Sequence, residues 1–200
     1  MLLIQAREPF LILLRETLAY LIECFFLARY AATLRAFLNK EVYMAILESE
    51  LSQALASWGV GLIKVSKSYE AGGIEKASQL ANEMLISLYG FHIGPVLFKP
   101  TLSGGSQTFR TTKEGALSYF VGHNSKYPQD SGFGIKFWRE VQSETSAVCI
   151  DENIAMWMGW VTFTDKDGNV TKVDKSFGYK RDHDGSLKIM LHHSSLPYHP

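Results

Sequence analysis

An α+β fold, with helices packed on one face of a curved antiparallel sheet, is what this sequence predicts, and three observations carry the prediction. Apolar residues between Val42 and Leu88 recur every three or four positions, the period of helices with one buried face. After Gly132 the period becomes that of strands, and compact turn signals separate the runs. Helices first and a meander afterwards need each other for cover, which defines the class.

The elements follow in order. Residues 1–38 are strongly apolar, but Arg15, Glu16, Glu23 and Arg29 interrupt them, so no charge-free span reaches the roughly 18 to 20 residues of a membrane helix. The scattered charges and Pro9 do not fit a secretory signal. Residues 1–40 are expected to be an apolar helical extension, a hairpin or the cover of an oligomer, with a targeting or membrane-surface segment as the alternative and Met44 as a later start. Residues 41–200 then form the α+β domain. From Lys40 to Val65 the positions Val42, Ile46, Leu47, Leu51, Leu55, Trp58, Leu62 and Val65 predict a first helix that runs on to Tyr69. Gly72-Gly73 closes it, since glycine enters the left-handed conformation of helix ends easily. Ala77, Leu80, Ala81, Met84, Leu85 and Leu88 predict a second helix over residues 74–88, stopped by Gly90. Residues 94–101, bracketed by Pro95 and Pro100, read as an edge segment leading into the loop Ser103-Gly104-Gly105-Ser106. A short helix over 112–120 carries Tyr119. Strands are expected over 133–137, 138–144, 147–150, 154–164, 170–180 and 187–195, with hairpin turns at 151–153, 165–169 and 182–185.

Composition excludes several functions. Twenty Lys and Arg balance twenty Asp and Glu, so no global field holds nucleic acid, and membrane contact is left to residues 1–40 alone. Cys24 and Cys149 are far apart, Cys149 in an expected core strand, and give no disulfide framework. A cytoplasmic location follows, with membrane association or export through the apolar N-terminus as the alternative. There is no Gly-x-Ser-x-Gly elbow, dinucleotide fingerprint or phosphate-binding glycine loop. Asp165-Lys166-Asp167-Gly168 fails as a calcium loop, because its twelfth position is Ser176 where a glutamate is needed.

What remains is the end of the last strand, Leu191-His192-His193-Ser194-Ser195, cut off by Pro197. Strand alternation sends His192 and Ser194 to one face and His193 and Ser195 to the other, so the two histidines do not grip one ion without help from His92 or His123. A single histidine or serine here is ordinarily a satisfied core residue or a strand cap. Two His-Ser repeats at a strand tip, titrating near neutrality beside hydroxyls, can instead pass protons to and from a water.

At these residues the chain resembles a family. Trp58-Gly59, Leu88-Tyr89-Gly90, Val96-Leu97-Phe98-Lys99-Pro100-Thr101, Gly115-Ala116-Leu117-Ser118-Tyr119-Phe120-Val121-Gly122, Ser176-Phe177-Gly178-Tyr179 and Leu191-His192-His193-Ser194-Ser195-Leu196-Pro197-Tyr198 are similar to blocks of the iota-class carbonic anhydrases of bacteria and cyanobacteria. The likeness spans residues 48–198 and implies the SnoaL-like, nuclear-transport-factor-like fold, a cone-shaped half-barrel with a cavity. It implies reversible hydration of carbon dioxide to bicarbonate, without cofactor, with zinc or manganese as the alternative. Carried over position by position, the catalytic candidates are Thr101, Tyr119, His192 and Ser194. Phe98, Phe120 and Phe133 are the apolar substrate-binding candidates. His193 and Ser195 are counted with them from the tetrad, although alternation turns them toward the sheet's other face or a subunit contact. A homodimer is expected through an outward aromatic face at Trp157, Trp160 or their neighbours. The tetrad also resembles the association domain of calcium/calmodulin-dependent kinase II. A non-catalytic association module, or a SnoaL-like isomerase or cyclase using a pocket acid such as Glu144 or Asp174, is therefore the alternative function.

Overall fold

The computed structural model describes residues 20, 22, 25–31 and 45–198. The chain divides into two units, Met1–Val42 and Tyr43–Pro200. The extension expected over 1–40 lies largely outside the described residues, of which 25–31 are helical, and Met44 lies outside them altogether.

Helix α1 (Glu48–Leu88) holds both predicted helices, joined at a kink where Gly73 takes φ +69. A side chain there would be strained in this left-handed backbone, which is why glycine marks the bend. The first arm buries Leu51, Leu55, Trp58, Leu62 and Val65, and the second buries Ala77, Ala81, Met84 and Leu85. The helix starts at Glu48 and not at residue 40, because 45–47 are extended and the Ile46 N–H is spent on the Glu152 carbonyl at 2.9 Å. Glu50 fixes that start: its carboxylate accepts the Leu47 N–H at 2.8 Å and two hydrogen bonds from Arg181, each at 2.8 Å.

Strand β1 (Leu97–Lys99) is followed by α2 (Lys113–Val121), whose N-cap Thr112 accepts the Gly115 N–H. The meander is β2 (Trp138–Asp151), β3 (Ile154–Asp165), β4 (Val170–Arg181) and β5 (Leu187–Ser195), in the sheet order β1-β5-β4-β3-β2. The sheet is mixed and not purely antiparallel as expected, since β1 pairs parallel to β5. Residues 133–135 form a 3-10 turn instead of a strand. The two strands expected over 138–150 are one, β2, with a bulge between Thr145 and Ala147. Gly159 of β3 is required at that bulge, because a Cβ there would overlap the Glu144 carbonyl. At the β3–β4 turn, the Asp165 carboxylate accepts the N–H groups of Asp167 and Asn169, so a plain hairpin uses the acid that a calcium loop would need.

Alternation sorts the sheet. Ala155, Trp157, Val161 and Phe163 of β3 and Val173, Phe177 and Tyr179 of β4 face the helices and are buried. The outward face carries exposed Ile154, Met156 and Met158 beside Val148 and Leu97. It is methionine-rich and aliphatic: Trp157 points inward with its indole N–H on Thr145, and Trp160 is half-buried under Lys172. Cys149, expected in the core, is exposed, because β2 is an edge strand whose outer half has only β3 beside it.

Candidate active site

The tip of β5 brings His192 and Ser194 to the core face, 1% and 0% exposed. The parallel register sets Phe98 of β1 opposite His192, and the two rings stack with centroids 4.5 Å apart. Just past β1, the Thr101 hydroxyl donates to Ser194 Oγ at 2.7 Å, and Ser194 donates onward to the Asp174 carbonyl at 3.2 Å. Lys99 ties down the same strand end by donating to the Ser194 carbonyl at 2.7 Å. Helix α2 supplies Tyr119 from the other side. Its ring stacks on Phe133 at 5.6 Å, meets Phe98 edge-on at 5.6 Å and lies against Phe120. The three predicted wall residues therefore box in the predicted phenol. Tyr119 Oη is buried and has no regular hydrogen-bond partner among the described residues.

His192 belongs to a second network that the sequence did not announce. Its Nδ1 is 2.9 Å from the Tyr89 hydroxyl, which accepts the Trp58 indole N–H at 2.9 Å. Its Nε2 is 2.9 Å from Lys175 Nζ on β4. Phe177, across the β4–β5 pairing, lies tilted against the same ring at 4.5 Å, so both ring nitrogens and the ring faces are engaged by protein. Tyr89 reaches this position because α1 ends at Leu88 and the next residues bridge to Ile189, the Gly90 N–H bonding its carbonyl at 3.0 Å.

Burial decides the protonation states. It pushes the Tyr119 phenol well above its ordinary range, against the opposing effect of the adjacent Thr101 hydroxyl, so the group is a proton donor at neutral pH. Desolvation, with Lys175 and His193 adding to it, holds His192 well below the usual imidazole value, and the ring is uncharged. Desolvation also lowers Lys175 to about 7, with Asp174 opposing and Lys99 assisting.

The remaining candidates lie elsewhere. His193 is exposed and Ser195 half-buried on the opposite face of β5, so the structure does not bring them to the hydroxyl pair. His92 hydrogen-bonds Asp182 at 2.7 Å, and His123 faces the Val121 carbonyl at 3.0 Å, so neither converges on His192. Among the described residues no group of three or more His, Cys, Asp or Glu is placed to hold a metal. Glu144 is exposed and Asp174 half-buried.

The family model for metal-independent carbonic anhydrases matches residues 49–196. The chain belongs to the metal-independent carbonic anhydrases. A protein of that description from Nostoc sp. strain PCC 7120 is 46% identical over 157 residues, which are 78% of this chain and 77% of the relative. The crystal structure of a cyanobacterial iota-carbonic anhydrase in complex with bicarbonate superposes with a TM-score of 0.77 at 46% identity, covering 78% of this chain and 95% of that one. For a carbonic anhydrase that uses no metal, water activation falls to side chains, which makes the two buried polar networks the features to explain. Lys175 had a sequence signal: it stands in phase with Val173, Phe177 and Tyr179 on the apolar face of β4. Trp58 and Tyr89 had only their place in the family-like blocks.

Proposed function

We propose that this carbonic anhydrase hydrates carbon dioxide at the Thr101, Tyr119 and Ser194 hydroxyls, with His192 behind them. The observation that carries the reading is the directed pair Thr101 to Ser194 at 2.7 Å beside a protonated Tyr119 that has no regular hydrogen-bond partner among the described residues, inside the box of Phe98, Phe120 and Phe133. Because Thr101 spends its proton on Ser194, its lone pairs are free to accept a hydrogen bond from a water and increase that water's nucleophilicity. The aromatic walls suit apolar carbon dioxide. As the water oxygen bonds to carbon, the electron pair of one C=O π bond moves to its oxygen, where the Tyr119 hydroxyl donates a hydrogen bond formed at that moment, while the attacking water's O–H bond breaks and its proton passes to a second water and on to solvent. Positioning does the work that a metal-bound hydroxide does elsewhere. His192 acts at one remove, since both its nitrogens are engaged by Tyr89 and Lys175. The test is the carbon dioxide hydration rate of the full chain against Thr101→Val, which keeps shape and deletes the hydroxyl. A loss of about 10²-fold in kcat is expected for one group of this kind; an unchanged kcat contradicts the assignment.

We propose further that the protein works as a homodimer through the outward sheet face. Leu97, Ile154, Met156 and Met158 are each between 46% and 59% exposed there, and they belong to one contiguous apolar groove that also takes in Leu191. Aliphatic and thioether side chains dominate the groove, with Ser176 and Lys180 beside them, so two copies can present like chemistry to each other across a two-fold axis.

A further inference from the structure

Lys175 is 3% exposed, its side-chain nitrogen lies 4.8 Å from the Trp58 ring and 5.8 Å from those of Phe163 and Phe177, and among the described residues its hydrogen-bond contact is His192 Nε2. The direction of that contact follows from the far end of the chain. The indole N–H of Trp58 can only donate, so Tyr89 Oη accepts it. The Tyr89 proton is then free for His192 Nδ1, which must be bare. A neutral imidazole with a bare Nδ1 carries its proton on Nε2, facing Lys175 Nζ at 2.9 Å. Only an uncharged amine can accept it. The reverse order, an ammonium donating to Nε2, puts the ring proton on Nδ1 and leaves the Tyr89 O–H buried without an acceptor.

We infer that Lys175 is a positioning residue of the site: its uncharged amine accepts the His192 Nε2–H, and protonating it reverses the His192 tautomer and breaks the order of the Trp58, Tyr89 and His192 chain. The inference rests on the proposed function, to which it adds a pH-gated support behind the hydroxyls. The groups that bear on the charge state of Lys175 are Asp174 on its own strand, Lys99 on β1 and His192 on β5, with His193 and Tyr89 acting through His192. Asp174 favours the ammonium, while burial and Lys99 favour the amine. The cost of burying a charge that no carboxylate among the described residues pairs with decides for the amine. The tautomer matters for the reaction because His192 stacks on Phe98, which is in turn the edge-on partner of Tyr119. With the tautomer reversed, the Tyr89 O–H loses its acceptor and must shift to find another, which disturbs the Phe98 ring that it packs against at 6.3 Å.

The full chain labelled with ¹³Cε-lysine and ¹⁵N-histidine tests this without substitution. Expected at pH 8 is an uncharged Lys175 and an Nε2–H His192, both changing together as pH falls through about 7. An ammonium signal persisting at pH 9, or an Nδ1–H ring at pH 8, overturns the proposal. Lys175→Met is then expected to lower kcat about tenfold with KM unchanged, the scale on which partners fixing a histidine's tautomer act, and to abolish the pH step near 7. A Lys175→Met protein with wild-type kcat and the same pH step overturns it. If the wild-type protein shows no hydration activity the proposed function fails, and the tautomer titration still decides the state of Lys175 by itself.

Discussion

Tyr119→Phe separates function from stability, because the two should move in opposite directions. The Tyr119 hydroxyl is buried, its residue 5% exposed, and it lacks a regular partner among the described residues. A buried polar group without a partner costs about 1–3 kcal/mol of desolvation. Its closeness to Thr101 returns part of that, so deleting the oxygen should leave stability unchanged or raise it by about 1 kcal/mol, which is about 2–4 °C in Tm for a chain of this size. The ring contacts with Phe98, Phe120 and Phe133 survive, since phenylalanine keeps them. In the reaction the same hydroxyl is assigned the developing oxyanion. Removing one such donor costs about 2.7–4 kcal/mol, or about 10²–10³-fold in kcat. The assays are stopped-flow carbon dioxide hydration with a pH indicator and thermal unfolding followed by circular dichroism. An unchanged kcat refutes the catalytic role. A fall in Tm of several degrees alongside the lost activity refutes the reasoning too, because it shows that the hydroxyl is a structural support.

Two further outcomes follow. Lys175 is pushed down from 10.5 to about 7, so between those values the unfolded chain binds the extra proton and the folded protein gains stability as pH rises. At about 1.4 kcal/mol per pKa unit, Lys175→Met should melt higher than wild type at pH 7, and the gap should close towards pH 10; a pH-independent gap contradicts the buried-amine assignment. Met156→Glu on the outward face should turn the proposed dimer into a monomer in sedimentation without touching the core, whereas a wild-type monomer sinks the interface.

Much of the fold was legible because its periodicities are clean. Leu51, Leu55, Trp58, Leu62 and Val65 mark one helical face, and the glycine pair marks the bend between the arms. Alternation at the end of β5 placed His192 and Ser194 inward and His193 outward, as the burial pattern has it. The parallel pairing of β1 was not legible, since three residues carry no periodicity and the partner is 94 positions away at Phe98 and His192. The inward turn of Trp157 was hidden because residues 154–161 are nearly all apolar, so no polar phase marks the faces. Lys175 was visible as a charge in phase with buried residues, and a lysine on such a strand face is ordinarily discounted as a solvated stem. Tyr89 and Trp58 meet His192 only through tertiary structure, 103 residues separating Tyr89 from the histidine.

The central claim is that buried side-chain hydroxyls, and no metal, carry the reaction. Its most direct measurement is the carbon dioxide hydration rate of the full chain before and after exhaustive chelation, with the metal content of the same sample determined in parallel. An unchanged rate in metal-depleted protein is the predicted result. Activity that disappears on chelation and returns with zinc or manganese contradicts the account.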